Sequence, residues 1–226
     1  MITVKKDAIK FRNSEGNMQS AGVLCEVGVV GGGEDLLQYA TGFGYMFYKQ
    51  TFPSDYVLTL NIELDEVADV NNIFNRTFAD TTLAKIILNG YVNGQISFGN
   101  TFQSTTAKEV DLSNFKCSIK GMSIAFNRAD QLETIRGEFD LSECTNLNTT
   151  FSYAYNLKDI SFKPNTIPLS IAFPHSSKLS DASIQSIIDG LATVETAQTL
   201  TFTATVKAKL TEEQIATITS KNWTLA

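Results

Sequence analysis

Phenylalanine recurs along the middle of the chain at intervals of about 24 residues, and this recurrence is the strongest pattern in the sequence. A small residue, threonine or alanine, precedes each phenylalanine, and a mostly apolar residue stands four positions before it. The phenylalanines are Phe52, Phe78, Phe102, Phe126, Phe151 and Phe173. Because one short segment cannot bury its own apolar side, a repeat of this length predicts neighbouring units that stack and share a core.

A second pattern, apolar-x-x-apolar-x-apolar, begins five or six residues after each phenylalanine. Alternation of its last two apolar positions predicts a short strand with one face turned inward. The copies are Val57/Leu60/Ile62, Leu83/Ile86/Leu88, Ala107/Val110/Leu112, Leu132/Ile135/Gly137 and Leu157/Ile160/Phe162; a sixth, Leu179/Ala182/Ile184, fits the spacing but is not expected to be a strand. We therefore predict an α/β, β-rich fold, a leucine-rich-repeat-like solenoid of five to six coils over residues 45–178.

Residues 179–226 predict a C-terminal α/β cap continuous with the solenoid, with element order β-α-β-α-β. Ser180 or Asp181 is placed to N-cap a helix whose apolar residues from Ile184 to Leu191 share one face. Residues 200–206 alternate as a strand. Residues 211–214 form a capping box for a second helix, and residues 222–225 close as a final strand.

Residues 1–44 predict a β-rich N-terminal cap or an attachment segment. Residues 2–4 and 23–30 are strand-like, and residues 34–39 indicate a brief helix. Apolar residues around positions 36–47 leave open an interface in a homo-oligomer instead.

Charge and composition exclude several classes of protein. The 226 residues carry a net charge of −6, which argues against a nucleic-acid partner, because such a partner requires a concentrated basic surface. No apolar run approaches the roughly 20 residues of a membrane span. The first residues lack the apolar stretch of a signal peptide.

Candidate chemistry is sparse. The one histidine, His175, follows Phe-Pro and is predicted to be a solvated loop residue. Cys25, Cys117 and Cys144 are predicted to be buried free thiols, while Glu63 and Asp65 fall on a solvated face. We therefore predict no catalytic residue, no cofactor and no metal site. The rival hypothesis, a glycan-active enzyme on a solenoid, lacks an acidic row: the positions two residues after the phenylalanines are Ser54, Asp80, Ser104, Arg128, Tyr153 and His175.

Three stretches resemble a known repeat family. Residues 147–151 (LNTTF), 122–127 (MSIAFN) and 132–135 (LETI) look like the units of BspA-type leucine-rich repeats, which occur in bacterial surface proteins. Their degenerate form resembles proteins encoded by prophages of gut Firmicutes in tail or baseplate regions, and residues 179–191 and 208–215 are similar to the ends of those proteins. The resemblance implies a phage-particle component, located in the virion or in the bacterial cytoplasm before assembly. A cell-surface leucine-rich-repeat adhesin is the alternative.

The candidate contact surface is one rim of the solenoid, formed by turn residues just before each strand. It includes Arg128, Asp130, Tyr153 and Tyr155. A tyrosine pair offers apolar area with a polar handle and suits a protein or a cell-surface glycan. The alternative is that both tyrosines simply pack along the rim. The function predicted is that of a non-enzymatic structural or interaction protein.

Overall fold

The computed structural model describes residues 2–5, 43–64 and 73–226. Most of the predicted N-terminal segment, including residues 23–30 and 34–39, lies outside these ranges, as do Cys25 and Asp65. The strand predicted at residues 2–4 is present. The described residues form a mixed α/β structure in which the strands within each sheet run parallel.

Six strands form one parallel sheet in the order in which they occur along the chain. They are β1 (Ile2–Lys5), β2 (Val57–Leu64), β3 (Lys85–Ser97), β4 (Glu109–Gly121), β5 (Thr134–Phe139) and β6 (Asp159–Phe162). Ile86, Val110 and Ile135 lie in register on neighbouring strands and point into the core, as the repeat pattern predicts.

The first predicted copy of the strand pattern is misplaced by two residues. Leu58 and Leu60 pair with Ile86 and Leu88, whereas Val57 is 47% exposed. A shift of two residues leaves the same face of a strand inward, so alternation alone cannot detect the error.

A row of stacked phenylalanine rings forms the opposite side of the core. Neighbouring ring centres are 4.7–5.7 Å apart and the rings are within 13° of parallel. The row runs through Phe47, Phe78, Phe102, Phe126, Phe151 and Phe173. Phe47 therefore replaces the predicted Phe52, which lies beside the row and stacks on Tyr56 at 4.8 Å. The interval from Phe47 to Phe78 is longer than the others, which is why the regular spacing selected Phe52.

The first five rings sit in short turn segments, residues 43–52, 74–82, 98–106, 122–130 and 147–156. The sixth ring, Phe173, ends a three-residue strand within residues 169–178, which continue into a turn and count as the sixth turn segment. In the first five, the residues two before and two after the ring of the row have a left-handed backbone. Backbone N–H groups of one segment donate to carbonyls of the next, as from Phe78 to Thr101 and from Phe102 to Ala125, both at 2.9 Å. The hydroxyl of Thr101 donates to Phe74 O at 2.8 Å. Where the small residue before the ring is threonine, its hydroxyl therefore adds a hydrogen bond between segments.

After β6, helices replace strands on the sheet side of the core, and strands replace turns on the phenylalanine side. Three short parallel strands, β7 (Ile171–Phe173), β8 (Gln198–Phe202) and β9 (Trp223–Leu225), form a second sheet that carries Phe173 and Phe202. Helix α1 (Asp181–Gly190) contacts β6, and α3 (Glu212–Ser220) contacts α1. One buried apolar cluster extends from Phe43 to Trp223.

The predicted helix starts are confirmed, and one predicted strand is wrong in part. Ser180 N-caps α1, and Thr211 forms the capping box of α3 with Gln214. The strand predicted over residues 200–206 ends at Phe202. There the Thr203 side chain accepts a hydrogen bond from the backbone N–H of Val206, which starts the one-turn helix α2 (Ala204–Lys207).

Within the described ranges, no helix combines the length and apolar character required to cross a bilayer.

Candidate functional site

The turn face, defined as the outer surface of the six turn segments, brings together three of the four predicted site residues: Arg128, Tyr153 and Tyr155. Arg128, Tyr153 and His175 occupy the same position, two residues after the ring, in successive segments. Backbone pairing between segments therefore places them side by side, and Tyr155 projects next to them.

The aromatic platform consists of Tyr153, Tyr155 and His175. The ring of Tyr153 stacks on His175 with centres 4.5 Å apart and planes 20° apart. Tyr155 meets His175 edge-on at 5.3 Å. The guanidinium carbon of Arg128 lies 5.4 Å from the centre of the Tyr153 ring, within the range of a cation–π contact. Tyr153 and Tyr155 remain 40% and 48% exposed, so they pack on their neighbours and still offer surface to a ligand.

His175 lies in a turn, as predicted, but it is not freely solvated, which corrects that part of the sequence-based prediction. It is half-buried, and its Nδ1 accepts a hydrogen bond from the backbone N–H of Tyr153 at 3.1 Å. In earlier segments a backbone carbonyl accepts this bond, as Ser152 O does for the N–H of Arg128. The imidazole therefore continues the hydrogen bonding between segments, and this bond holds its ring against Tyr153 within the platform. Alignment of the positions two residues after the rings was the sequence signal for this placement.

Asp130 joins the site through its backbone. Its carbonyl accepts a hydrogen bond from Asn156 Nδ2 at 2.6 Å, and Asn156 Oδ1 accepts one from Lys178 Nζ at 2.6 Å. The Asp130 side chain is exposed at the margin of the platform. Polar donors and acceptors thus border the aromatic rings.

A second polar feature lies on the opposite side, on the outer face of the six-stranded sheet. Lys85 Nζ contacts Glu109 Oε1 at 2.6 Å and Asp111 Oδ2 at 3.4 Å, and Arg136 Nε contacts Glu109 Oε1 at 2.6 Å. Partial burial favours the neutral acid at Glu109, but hydrogen bonds from Arg136 and Lys85 outweigh it and lower its pKa. At Asp111, burial is likewise outweighed by hydrogen bonds from Ser113 and Lys85, and the pKa is again lowered. Both carboxylates are therefore held in the charged state.

A shallow groove of about 360 Å³ lies where this sheet meets α1. Arg136, Asp159 and the hydroxyl groups of Ser180, Ser183 and Ser186 line it. All three hydroxyls already serve the fold: Ser180 N-caps α1, while Ser183 Oγ accepts from Ile160 N and Ser186 Oγ from Phe162 N, each at 2.9 Å.

The two described cysteines are free, as predicted; Cys144 is also buried, whereas Cys117 is only half-buried, which corrects that part of the prediction. Burial raises the pKa of the Cys117 thiol to about 12, so it stays protonated and is a poor nucleophile. Burial also raises the pKa of Cys144. Among the residues with described positions, no three His, Cys, Asp or Glu side chains are grouped to hold a metal ion. Glu63 is exposed, as expected.

Comparison of the chain with protein-family models, with curated proteins and with solved structures found no match.

Proposed function

We propose that this chain is a non-enzymatic interaction protein, built as a leucine-rich-repeat-like solenoid, that binds a cell-surface glycan on its turn face. Three observations support the solenoid: parallel strands pair in chain order, rings stack in one continuous row, and turn segments pair through their backbones. In such a fold, outward side chains vary without disturbing the core, so a binding surface is easily added.

The observation that carries the binding proposal is the platform of Tyr153, Tyr155 and His175. The electron-rich face of an aromatic ring attracts the C–H groups on the apolar face of a sugar, and the tyrosine hydroxyls remain available for hydrogen bonds. Arg128 and the Asn156–Lys178 pair add charged and polar groups at the margin. A flat aromatic surface with a polar border suits a sugar ring.

A glycan suits this surface better than a folded protein does. Stable protein interfaces bury about 800 Å² on each partner around an apolar centre. The large apolar side chains exposed in the described ranges are dispersed rather than gathered into such a centre; they are Tyr45, Val57, Tyr153, Tyr155 and Ile215. Three of these five are tyrosines of the turn face.

The charge environment favours binding over catalysis. Glycoside hydrolysis commonly requires a pair of carboxyl groups, one of which acts as an acid with a raised pKa. Glu109 and Asp111 lie close together, but hydrogen bonds from Arg136 and Lys85 lower the pKa of Glu109, and hydrogen bonds from Ser113 and Lys85 lower that of Asp111. The platform itself consists of three rings, and its margin carries the Arg128 guanidinium and the single carboxylate of Asp130 in place of a carboxyl pair.

The biological setting in this proposal rests on the sequence resemblance to BspA-type repeats. The chain would serve as a structural or adhesive component of a phage or prophage particle, and a bacterial cell-surface adhesin is the alternative setting. Both settings require recognition of a cell surface, so the binding test applies to either.

The test is a glycan-array screen followed by calorimetry on the full chain at a measured oligomeric mass. The double variant Tyr153→Ala/Tyr155→Ser should lose about tenfold or more in affinity, since each ring contact contributes about 0.5–1.5 kcal/mol. Ile215→Ser, which removes an exposed apolar side chain from α3, is the matched control and should bind as the wild type does. Unchanged affinity in the double variant, or turnover of the bound glycan, would contradict the proposal.

A further inference from the structure

We propose that the turn face carries a second binding subsite at its N-terminal end, and that both subsites together bind one linear, anionic glycan. This inference rests on the proposed function, and it adds a site and a ligand charge that the platform alone does not define. The second subsite consists of Tyr45, Tyr48, Lys49 and Arg76.

The second subsite repeats the chemistry of the first. Tyr45 is 38% exposed and meets Tyr48 edge-on, with ring centres 5.4 Å apart. Lys49 Nζ lies 5.0 Å from the centre of the Tyr48 ring, and the guanidinium carbon of Arg76 lies 5.9 Å from it. Each subsite therefore combines an exposed tyrosine, a second aromatic ring and at least one cation held over a ring.

Exposure, rather than backbone geometry, sets these tyrosines apart. Tyr45 and Tyr153 have φ values of 61° and 63°, but the fold imposes a left-handed backbone at these positions in each of the first five segments, including at Ile124 and Thr149. Tyr45 and Tyr153 are 38% and 40% exposed, so their rings contribute little buried area to the core. A large ring left exposed in this way points to a role outside the fold.

The charge of the turn face is opposite to that of the whole chain. The protein has 18 basic and 24 acidic residues, yet cations outnumber carboxylates two to one in the turn segments. The cations are Lys49, Arg76, Arg128 and Lys178, and the carboxylates are Asp80 and Asp130. Cations beside aromatic rings, exposed at Lys49 and Arg128 and half-buried at Arg76, favour a sugar that bears a carboxylate or a phosphate.

The distance between the subsites requires an extended ligand. Four ring-to-ring steps of 5.0–5.7 Å separate the segment of Phe47 from that of Phe151. The subsites are therefore roughly 20 Å apart along the stacking direction, in line with the usual strand spacing. A disaccharide reaches one subsite, whereas an octasaccharide reaches both.

The test measures affinity for uronate oligosaccharides of two lengths, with neutral glucan oligosaccharides of equal length and a linear sugar–phosphate polymer beside them. Wild-type protein should bind the uronate octasaccharide at least tenfold more tightly than the uronate disaccharide, because the second contact is intramolecular. It should also prefer the uronate to the neutral octasaccharide, and less so at high salt. Stronger binding of the sugar–phosphate polymer would assign the charge to phosphate and would equally support an anionic ligand.

Variants separate the second subsite from the first. Tyr45→Asn should fold normally, since asparagine tolerates a left-handed backbone, and Arg76→Gln keeps the length of the side chain. Each should weaken octasaccharide binding about fivefold and leave disaccharide binding within twofold. Lys108→Gln, a matched loss of charge outside the turn segments, should change neither.

Two results would overturn this inference while leaving the proposed function in place. The first is equal affinity for neutral and anionic octasaccharides, with both weakened by Tyr153→Ala. The second is octasaccharide binding that Tyr45→Asn and Arg76→Gln leave unchanged. Binding of no glycan at all would instead overturn the proposed function.

Discussion

The repeat region (residues 74–162) and the C-terminal region (residues 167–226) build the same core with opposite secondary structure. In the repeat region, strands form one side and left-handed turns form the phenylalanine side. In the C-terminal region, helices α1 and α3 take the first side and strands β7–β9 take the second. The row of rings nevertheless continues from Phe151 through Phe173 to Phe202.

This difference shows that core positions and backbone conformation are specified separately. A buried ring requires only neighbours at about 5 Å, which either a turn or a strand supplies. The choice of element depends on local signals such as the Ser180 cap, which starts α1 where the repeat would otherwise place a strand. The two regions can therefore be tested by substitutions that affect the shared row, one region, or their junction.

The largest effect should come from the shared row. Phe126 is fully buried between Phe102 and Phe151, with ring centres 5.0 and 5.7 Å away. Phe126→Ala should reduce the free energy of unfolding in urea by about 3–5 kcal/mol, since it leaves a cavity between two rings. Phe52→Ala, at the half-buried ring beside the row, should cost under about 2 kcal/mol. Equal losses would show that the row does not dominate the core.

The second-largest effect compares one glycine in each region at which an added Cβ atom would come too close to a neighbouring residue. Gly90 in β3 has a φ of 96°, and a Cβ there would lie 1.9 Å from the carbonyl oxygen of Ile62. Gly90→Ala should cost about 2–3 kcal/mol, because backbone must move and the conformation is strained. At Gly190 in α1, a Cβ would meet side-chain atoms of Phe162 and Ile167 at 2.9–3.0 Å.

Gly190→Ala is the matched variant in the C-terminal region, measured in the same urea titration. The contacts at Gly190 are longer than the one at Gly90 and involve side-chain atoms, but the Phe162 Cβ is fixed to its backbone, so the net loss should be smaller than at Gly90, about 1–2 kcal/mol. A larger loss at Gly190 than at Gly90 would reverse the expected difference in rigidity between the regions.

The regular copies of the repeat were predictable from the sequence, whereas its irregular first copy was not. From Leu83 to Leu157 the apolar positions recur every 24–25 residues, and both the strands and the rings follow them. At the first copy, Phe47 and Leu58 were missed because the spacing lengthens there, and two-residue periodicity accepts either register.

The candidate site was partly predictable for the same reason. Aligned positions placed Arg128 and Tyr153 on one rim, but His175 followed a Phe-Pro turn signal that resembles a loop. Its role depends on an imidazole nitrogen that takes the place of a backbone carbonyl as the hydrogen-bond acceptor. The spacing of apolar residues along the sequence does not reveal such a replacement.

The junction between the regions should give the third effect. There the last strand of the six-stranded sheet meets a helix, and Ser183 Oγ accepts the hydrogen bond from the buried N–H of Ile160 at 2.9 Å. Ser183→Ala should cost about 1–2 kcal/mol, because it leaves that N–H without an acceptor. Ser177→Ala, at an exposed serine, is the control and should change the free energy of unfolding by less than about 0.5 kcal/mol. Faster hydrogen exchange at Ile160 in Ser183→Ala alone would locate the loss, and unchanged exchange would count against this role.

The smallest effect concerns charge and is confined to the repeat region. The pKa of Glu109 is lowered in the folded protein, so its contribution is present above the ordinary glutamate pKa and is lost as pH falls through the lowered folded value. Glu109→Gln should therefore cost at most about 1 kcal/mol at pH 7, as expected for a partly exposed ion pair. Denaturation curves of variant and wild type should converge in acid. Glu195→Gln, at an exposed carboxylate of the C-terminal region, should follow the wild type at every pH. A constant offset between Glu109→Gln and wild type down to acid pH would show that the glutamate acts through packing instead of its charge.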